Sequence, residues 1–121
     1  MNGISNDTIN IIRNEIILYG RDDRYKLEAY LFILHGLEFQ KTKSGEKRHF
    51  SGKELAYGYA QFAQKQFGPM AMAVLHRWGI FTTDDFGFIV YNLVDINIIK
   101  KKENDSVEDF FNVLDLGSYS D

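Results

Sequence analysis

Histidines are the first residues to examine for chemistry, because imidazole changes charge near neutral pH and also binds metal ions. His35 lies on a predicted helix, with Glu28 two turns before it and Glu38 about one turn after it, so an acid can tune it as a general base. No second metal ligand lies four residues away, as helical metal sites require. A packed histidine bonded to a nearby acid is the alternative. We predict no catalytic residue and no metal site.

A candidate anion site lies at the start of another predicted helix. Its residues are Arg48, His49, Ser51 and Lys53. Arg48 and His49 can pair with a phosphate, and the free amides that follow Ser51 favour negative charge. The alternative is an ordinary exposed loop followed by an ordinary helix cap.

Other catalytic and cofactor classes lack their characteristic residues. The chain has no cysteine, which excludes a thiolate nucleophile and a Cys-ligated zinc or iron–sulfur site. No serine lies in a nucleophile-elbow sequence, and Gly68, Gly79 and Gly87 are too dispersed for a phosphate loop. The pair Asp84 and Asp85 fits the preference of a helix start for acidic residues. We therefore predict no cofactor, and an enzyme is the less favoured class.

Nucleic acid is an alternative partner. Contacts with phosphates dominate its affinity, and the helix of a helix-turn-helix that reads DNA presents its first residues to the bases. Here those residues include Asp84 and Asp85, whose carboxylates would repel phosphates and disfavour this role. The basic residues available for it are Lys47, Arg48, Lys53 and Lys100 to Lys102.

Three aromatic residues suggest a protein interface. Tyr57, Phe88 and Tyr91 fall on helix faces that their own periodicity predicts to be exposed, and interfaces are enriched in aromatic residues. The alternative is that a second layer of the same domain, the first helix or the C-terminal tail, covers them.

The elements that must position these residues are mainly helices. Caps and apolar spacing predict about five helices, which begin near Ser5, at residue 24, at Ser51, at Pro69 and at Thr82 or Thr83. Residues 24 to 40 are apolar nearly all round, which is typical of a buried central helix. Residues 67 to 94 hold the helix-turn-helix. Residues 98–102 and 107–116 suggest a small C-terminal β-hairpin, although periodicity leaves a helical turn open for the second segment. The expected fold is mainly α (α+β) and winged-helix-like.

Composition predicts one globular domain over residues 1–121, with residues 117–121 frayed. The net charge is −3, which gives no general attraction to nucleic acid. The first ten residues do not have the pattern of a secretory signal, and no stretch reaches the ~20 apolar residues of a membrane span. We expect a cytoplasmic protein with no membrane partner. The basic residues 41–53 and the acidic residues 103–121 can attract each other within or between copies.

Several short motifs together resemble the Minf-type family of small uncharacterised bacterial proteins, over residues 22 to 116. They are Arg24-Tyr25, Ser51-Gly52-Lys53-Glu54-Leu55, Phe67-Gly68-Pro69-Met70-Ala71, Trp78-Gly79, Asp85-Phe86-Gly87 and Asn92-Leu93-Val94. The resemblance implies no activity, so it gives a role to no residue. Asn97 stands where the family pattern has glycine.

The sequence therefore favours a non-enzymatic protein-interaction module that self-associates as a homo-oligomer, with other protein partners open. A nucleic-acid-binding regulator is the first alternative. A small ligand-binding protein or enzyme that uses His35, His49 or Arg48 is the second.

Overall fold

A computed structural model describes residues 3–45 and 49–119. In chain order the elements are α1 (Asn6–Ile12), a π-helical segment (Arg13–Leu18), α2 (Leu27–Ser44), α3 (Gly52–Phe67), a 3₁₀ turn (Gly68–Met70), α4 (Ala71–Arg77), α5 (Thr83–Asp95) and two further 3₁₀ turns (Val107–Phe110 and Leu116–Ser118). This confirms the mainly α prediction. The prediction of five regular helices is not supported. Helices α1 and α4 have only seven residues each; a π-helical segment follows α1, and a 3₁₀ turn precedes α4.

Helix α2 is the centre of the fold, as its apolar surface predicts. Its buried residues Ala29, Tyr30, Phe32, Ile33 and Gly36 face more than one direction, and α1, α3 and α5 all pack against it. Burial of this kind removes apolar surface from water on several sides of one helix.

Helix α2 begins three residues later than predicted because the preceding residues are held by tertiary contacts. The amide of Arg24 donates to Asp22 Oδ1 at 3.1 Å, and the amide of Lys26 donates to the carbonyl of Trp78 at 3.2 Å. The carbonyl of Arg24 faces Gly79, where a Cβ atom would overlap it and φ is +96°. Only glycine fits this turn easily, so Gly79 both ends α4 and brings it to the start of α2.

Local helix caps are formed as predicted. Ser51 Oγ accepts from the amide of Glu54 at 3.1 Å, and Glu54 Oε1 accepts from the amide of Ser51 at 2.9 Å, which completes a capping box. Thr82 is the N-cap of α5. Ser5 Oγ accepts from the amide of Thr8 and caps α1.

The predicted C-terminal β-hairpin is wrong, since residues 3–45 and 49–119 contain no strand. Without a strand pair there is no wing, and the winged-helix analogy is not supported. The ring of Phe110 is buried between α3 and α5, where Gly52 and Gly87 leave room for it; a Cβ at Gly87 would lie 2.7 Å from that of Phe110. Burial of this ring stabilises the segment more than strand pairing would. The segment therefore forms a 3₁₀ turn with Ser106 as its N-cap.

Side chains at the start of α5 fasten the C-terminal segment. Thr83 is fully buried, and its hydroxyl donates to the carbonyl of Phe110 at 2.7 Å while accepting from the amide of Val113 at 3.1 Å. Asp84 Oδ1 accepts from the amide of Asn112 at 2.9 Å. Strand pairing would have supplied hydrogen-bond partners for the backbone of the C-terminal segment. Side chains in the first turn of α5 supply such partners instead.

We predict that Thr83→Val lowers the free energy of unfolding by about 2 kcal/mol, because two backbone groups of the tail lose their partner while the side-chain shape is kept. Urea denaturation measures the loss. Thr42→Val, at an exposed position of α2, is the matched control and should change stability by less than about 0.5 kcal/mol. A loss this small for Thr83→Val would contradict the prediction.

Candidate binding groove

A groove of about 570 Å³ lies between α2 and α3, which run in opposite directions along it. Its polar edge consists of His35, Glu38, Thr42, Lys43 and Gln66, and its apolar lining consists of Phe32, Phe39, Phe62 and Phe67. This volume and this mixture of aromatic lining with a few polar groups are typical of ligand and peptide sites.

The four phenylalanine rings form one continuous surface. The ring centroid of Phe62 is 5.4 Å from that of Phe32 and 5.1 Å from that of Phe39, and Phe32 is in turn 6.2 Å from Phe67. Phe32 and Phe62 are buried and form the floor, whereas Phe39 and Phe67 are only partly buried and form the walls. Since each ring is held by another, the surface is stiff and loses little entropy when it binds an apolar group.

Trp78 lies at one end of the aromatic surface. Its ring is 5.7 Å from Phe67 and 5.9 Å from Phe32, and it is the only tryptophan in the chain. Its fluorescence therefore reports on the groove.

Lys43 is the lysine in the described lining of the groove, which also contains the carboxylate of Glu38. Lys43 Nζ donates to Gln61 Oε1 at 2.6 Å across the two helices, and it lies 6.0 Å from the centre of the Phe39 ring. Lys41, in the same last turn of α2, lines a different hollow. The arrangement suits an apolar group that carries negative charge beside it.

His35 lies on the ridge between this groove and a smaller hollow of about 210 Å³ next to Ile4 and Thr8. Glu38, one turn later, shares both linings, as the sequence spacing indicated. In the part of the chain that the structure describes, no three His, Asp or Glu side chains are grouped to hold a metal ion.

The residues of the predicted anion site are described only in part. Arg48 lies outside the described residues. His49 Nε2 is 2.8 Å from Asp105, and the Ser51 hydroxyl accepts from the amide of Glu54, so both have partners within the chain. Lys53 is exposed. The contact between His49 and Asp105 joins residues 41–53 to residues 103–121 within one chain.

The three predicted interface aromatics differ in environment. Tyr57 is 47% exposed. Phe88 is partly buried: its ring is 5.5 Å from that of Phe111, and the Arg24 guanidinium lies 4.4 Å from its centre. The C-terminal segment therefore covers Phe88, which is the alternative that periodicity left open.

Tyr91 faces the same C-terminal segment across a hollow of about 40 Å³ that His49 and Asp105 also line. Burial and the neighbouring carboxylates of Asp105 and Asp109 raise the pKa of Tyr91 to about 12. A phenol beside these acids stays protonated, so it can donate a hydrogen bond but does not act as a base at neutral pH.

A polar network between the α1–α2 loop and α5 was not anticipated from the sequence. Arg24 donates from Nε to Asp22 Oδ1 at 2.9 Å and from Nη2 to Oδ2 at 2.8 Å. Asn92 Nδ2 donates to Asp22 Oδ2 at 2.8 Å and to the Tyr30 hydroxyl at 3.0 Å. Burial acts to raise the pKa of Asp22, but the hydrogen bonds from Arg24 and Asn92 outweigh it and hold this pKa below its ordinary value.

Asp85 joins a second part of this network. One carboxylate oxygen accepts from the Tyr25 hydroxyl at 2.5 Å, and the other accepts from the amides of Phe81 and Thr82 at 2.8 and 3.1 Å. Burial, together with the hydrogen bond to Asp85, raises the pKa of Tyr25 above its ordinary value. Asp85 thus bonds the amides at the start of α5, as the helix-start explanation requires, whereas Asp84 bonds the amide of Asn112 in the C-terminal segment.

Two buried tyrosines can be compared by the same substitution, because only one of their hydroxyl groups has a hydrogen-bond partner among the described residues. Tyr25 donates to Asp85, whereas the Tyr59 hydroxyl is fully buried with no hydrogen-bond partner among the described residues. We expect Tyr25→Phe to lower the free energy of unfolding by about 1.5 kcal/mol, and Tyr59→Phe to leave it unchanged or raise it by about 1 kcal/mol. Chemical denaturation of both variants measures this. A larger loss for Tyr59→Phe than for Tyr25→Phe would show the assignment to be wrong.

The lowered pKa of Asp22 predicts an acid-dependent contribution to stability. It is present above the ordinary carboxyl value of 3.8 and is lost as the pH falls through the lower folded value. Asp22→Asn should therefore be less stable at neutral pH but lose less stability between about pH 4 and about pH 2. Thermal unfolding against pH measures the slope, with Asp23→Asn at the exposed neighbouring position as control. The prediction would be wrong if the stability of Asp22→Asn and that of wild type fell equally steeply with falling pH.

No helix in the described part of the chain combines the length and apolar character needed to cross a bilayer. Comparison with family models, with curated proteins and with solved structures finds no match for this chain. Its function must therefore be argued from the groove and the networks themselves.

Proposed function

We propose that this chain is a non-enzymatic protein-interaction module, and that the groove between α2 and α3 binds an apolar segment of an acidic partner protein. The observation that carries the proposal is the continuous surface of four phenylalanine rings in a groove with a polar edge. Aromatic residues are enriched in the central contacts of protein interfaces.

The length of the groove favours a helical segment as the occupant. Phe32 and Phe39 are seven residues apart on α2, so their Cα atoms are separated by about 10 Å along the helix axis. A partner helix that lies in a groove places side chains i, i+3 or i+4 and i+7 on one face over a similar length. Two or three large apolar side chains are consistent with a volume of about 570 Å³.

The charges at the groove favour acidic residues beside those apolar side chains. Lys43 lies in the last turn of α2 and lines the groove. Glu38 is a carboxylate in the lining, so the acidic residues of the partner belong at the Lys43 end. Complementary charges of this kind mainly set orientation and the association rate.

An enzymatic role has less support. The hydroxyl and carboxylate groups of Tyr25, Asp22 and Asp85 are engaged in bonds that hold helices together. His49 is paired with Asp105 beside a hollow of about 40 Å³, which has room for little more than water.

Self-association through the aromatic residues predicted from the sequence is the weaker form of the proposal. Tyr57 is available, but Phe88 and Tyr91 are partly covered by the chain's own C-terminal segment. Nucleic-acid binding remains the alternative, and it uses Lys47, Arg48, Lys53 and Lys100 to Lys102. Lys47 and Arg48 lie outside the described residues, the other four are exposed, and no observation on the groove favours this alternative.

The proposal is tested by selecting short random peptides on the immobilised full chain and measuring their affinity through Trp78 fluorescence. We expect the selected peptides to carry aliphatic or aromatic residues at helical spacing, with acidic residues nearby. Phe39→Ala should weaken binding at least tenfold, because a wall of the groove is lost, and Lys43→Glu should weaken acidic peptides more than neutral ones.

Tyr57→Ala is the matched control, since it removes an aromatic side chain that lies outside this groove. The affinity of Tyr57→Ala for the selected peptides should stay within about twofold of that of wild type. Peptides that bind Phe39→Ala normally but fail to bind Tyr57→Ala would contradict the groove assignment. Sedimentation of wild type and Phe39→Ala shows whether a second copy is the occupant.

A further inference from the structure

Two adjacent apolar side chains, Leu18 and Tyr19, are exposed at the end of the first helical segment. Leu18 is 72% exposed and Tyr19 is 80% exposed, the highest values among the large apolar side chains of the described chain. Tyr19 follows the buried Ile12 by seven residues and the buried Ile16 by three, which is the spacing of one α-helical face. A continuous α-helix would therefore place the Tyr19 ring in the core beside them.

The π-helical segment Arg13–Leu18 accounts for the exposure of Tyr19. Bonds in a π-helix join residues five apart instead of four, as when the amide of Arg21 donates to the carbonyl of Ile16 at 3.1 Å. The wider turn contains more residues, so the side chains after it point in a different direction from those of an α-helix. Such segments are rare and are frequent at functional sites, and adjacent exposed apolar residues are suited to contact another protein.

Charged residues flank this exposed pair on both sides. Glu15 lies three residues before Leu18, and Arg21 lies two residues after Tyr19; both are exposed. Arg21 Nε donates to the backbone carbonyl of Glu15 at 3.4 Å, so the guanidinium is bound to a neutral group. Within the described chain neither charge has an ion-pair partner.

The groove between α2 and α3 has the complementary arrangement. Phe39 and Phe62 supply apolar surface, and the charged groups of the described lining include the exposed carboxylate of Glu38 and the ammonium group of Lys43. These two charges are five residues apart, or about 7.5 Å along the axis of α2. A segment that places its exposed pair over Phe39 can therefore direct one basic and one acidic residue toward them.

We propose that the occupant of the groove is this segment, residues 15–21, of a second copy of the chain, with Arg21 beside Glu38 and Glu15 toward Lys43. The inference rests on the proposed function, because it names the partner that the groove binds. The chain fits that partner, since its net charge is −3 and its segment offers exposed apolar side chains.

The segment of the same chain does not enter its own groove, because Ile12 and Ile16 are fully buried and fix it in the core. The contact therefore joins two different surfaces of two copies. Such a contact closes only when the copies exchange segments reciprocally or when several copies form a ring.

Sedimentation velocity of the full chain over a concentration series tests the proposal. We expect wild type to associate below about 100 μM, a weak affinity that is typical of small interfaces. Leu18→Glu places a carboxylate in the apolar contact and should weaken association at least tenfold, as should Phe39→Ala in the groove. Tyr57→Glu, at an exposed ring outside both surfaces, is the matched control and should stay within about twofold of wild type.

Mixing the two defective variants gives a readout that a folding defect does not produce. Leu18→Glu keeps its groove and Phe39→Ala keeps its segment, so an equimolar mixture should associate at concentrations where each variant alone is monomeric. The charges give a second readout. Arg21→Glu should weaken association, and the double variant with Glu38→Lys should restore it, because the pair is re-formed with its signs exchanged.

The proposal is overturned if wild type stays monomeric at the highest concentration, or if the mixture associates no better than either variant alone. These results are distinct from a failure of the proposed function. A monomeric chain whose groove still binds the selected peptides refutes only the second copy as occupant, whereas peptides that bind independently of Phe39 refute the groove itself.

Discussion

The first turn of α5 is the junction on which the rest of the structure depends. A helix start leaves backbone amides without partners, and here Asp85 supplies a carboxylate to Phe81 and Thr82 while it also binds the Tyr25 hydroxyl. Thr83 in the same turn binds two backbone groups of the C-terminal segment. One turn of helix therefore connects the α1–α2 loop, the α4–α5 turn and the tail. Hydrogen bonds that hold the fold together account for the acidic residues in this turn.

The junction also determines which surface is left open. The C-terminal segment and α5 pack on one side of the α2–α3 pair, and Phe110 fills the space between α3 and α5. The opposite side of that pair keeps Phe39 and Phe67 only partly covered. Apolar rings that are only partly buried contribute less free energy of burial than fully buried ones. The proposed binding role would use these two rings.

Local rules predicted the local features well. The Ser51 capping box, the Thr82 cap and the apolar circumference of α2 need only neighbouring residues, and all three are found. The C-terminal hairpin failed because residues 107–116 fit two periodicities, and the choice depends on the space that Gly52 and Gly87 leave for Phe110. The start of α2 failed for a similar reason, since contacts distant in sequence hold the preceding loop. The groove depends on how α2 and α3 are aligned, which sequence periodicity does not specify.

Hydrogen–deuterium exchange of the full chain, measured with and without a peptide selected on it, tests most directly whether the α2–α3 groove is the binding surface and the α5 junction is structural. The account predicts added protection in peptides that span residues 32–43 and 62–67, with little change around Asp22, Arg24 and Asp85. Protection that appears instead around Arg24 and Asp85, or around His49 and Asp105, would contradict it.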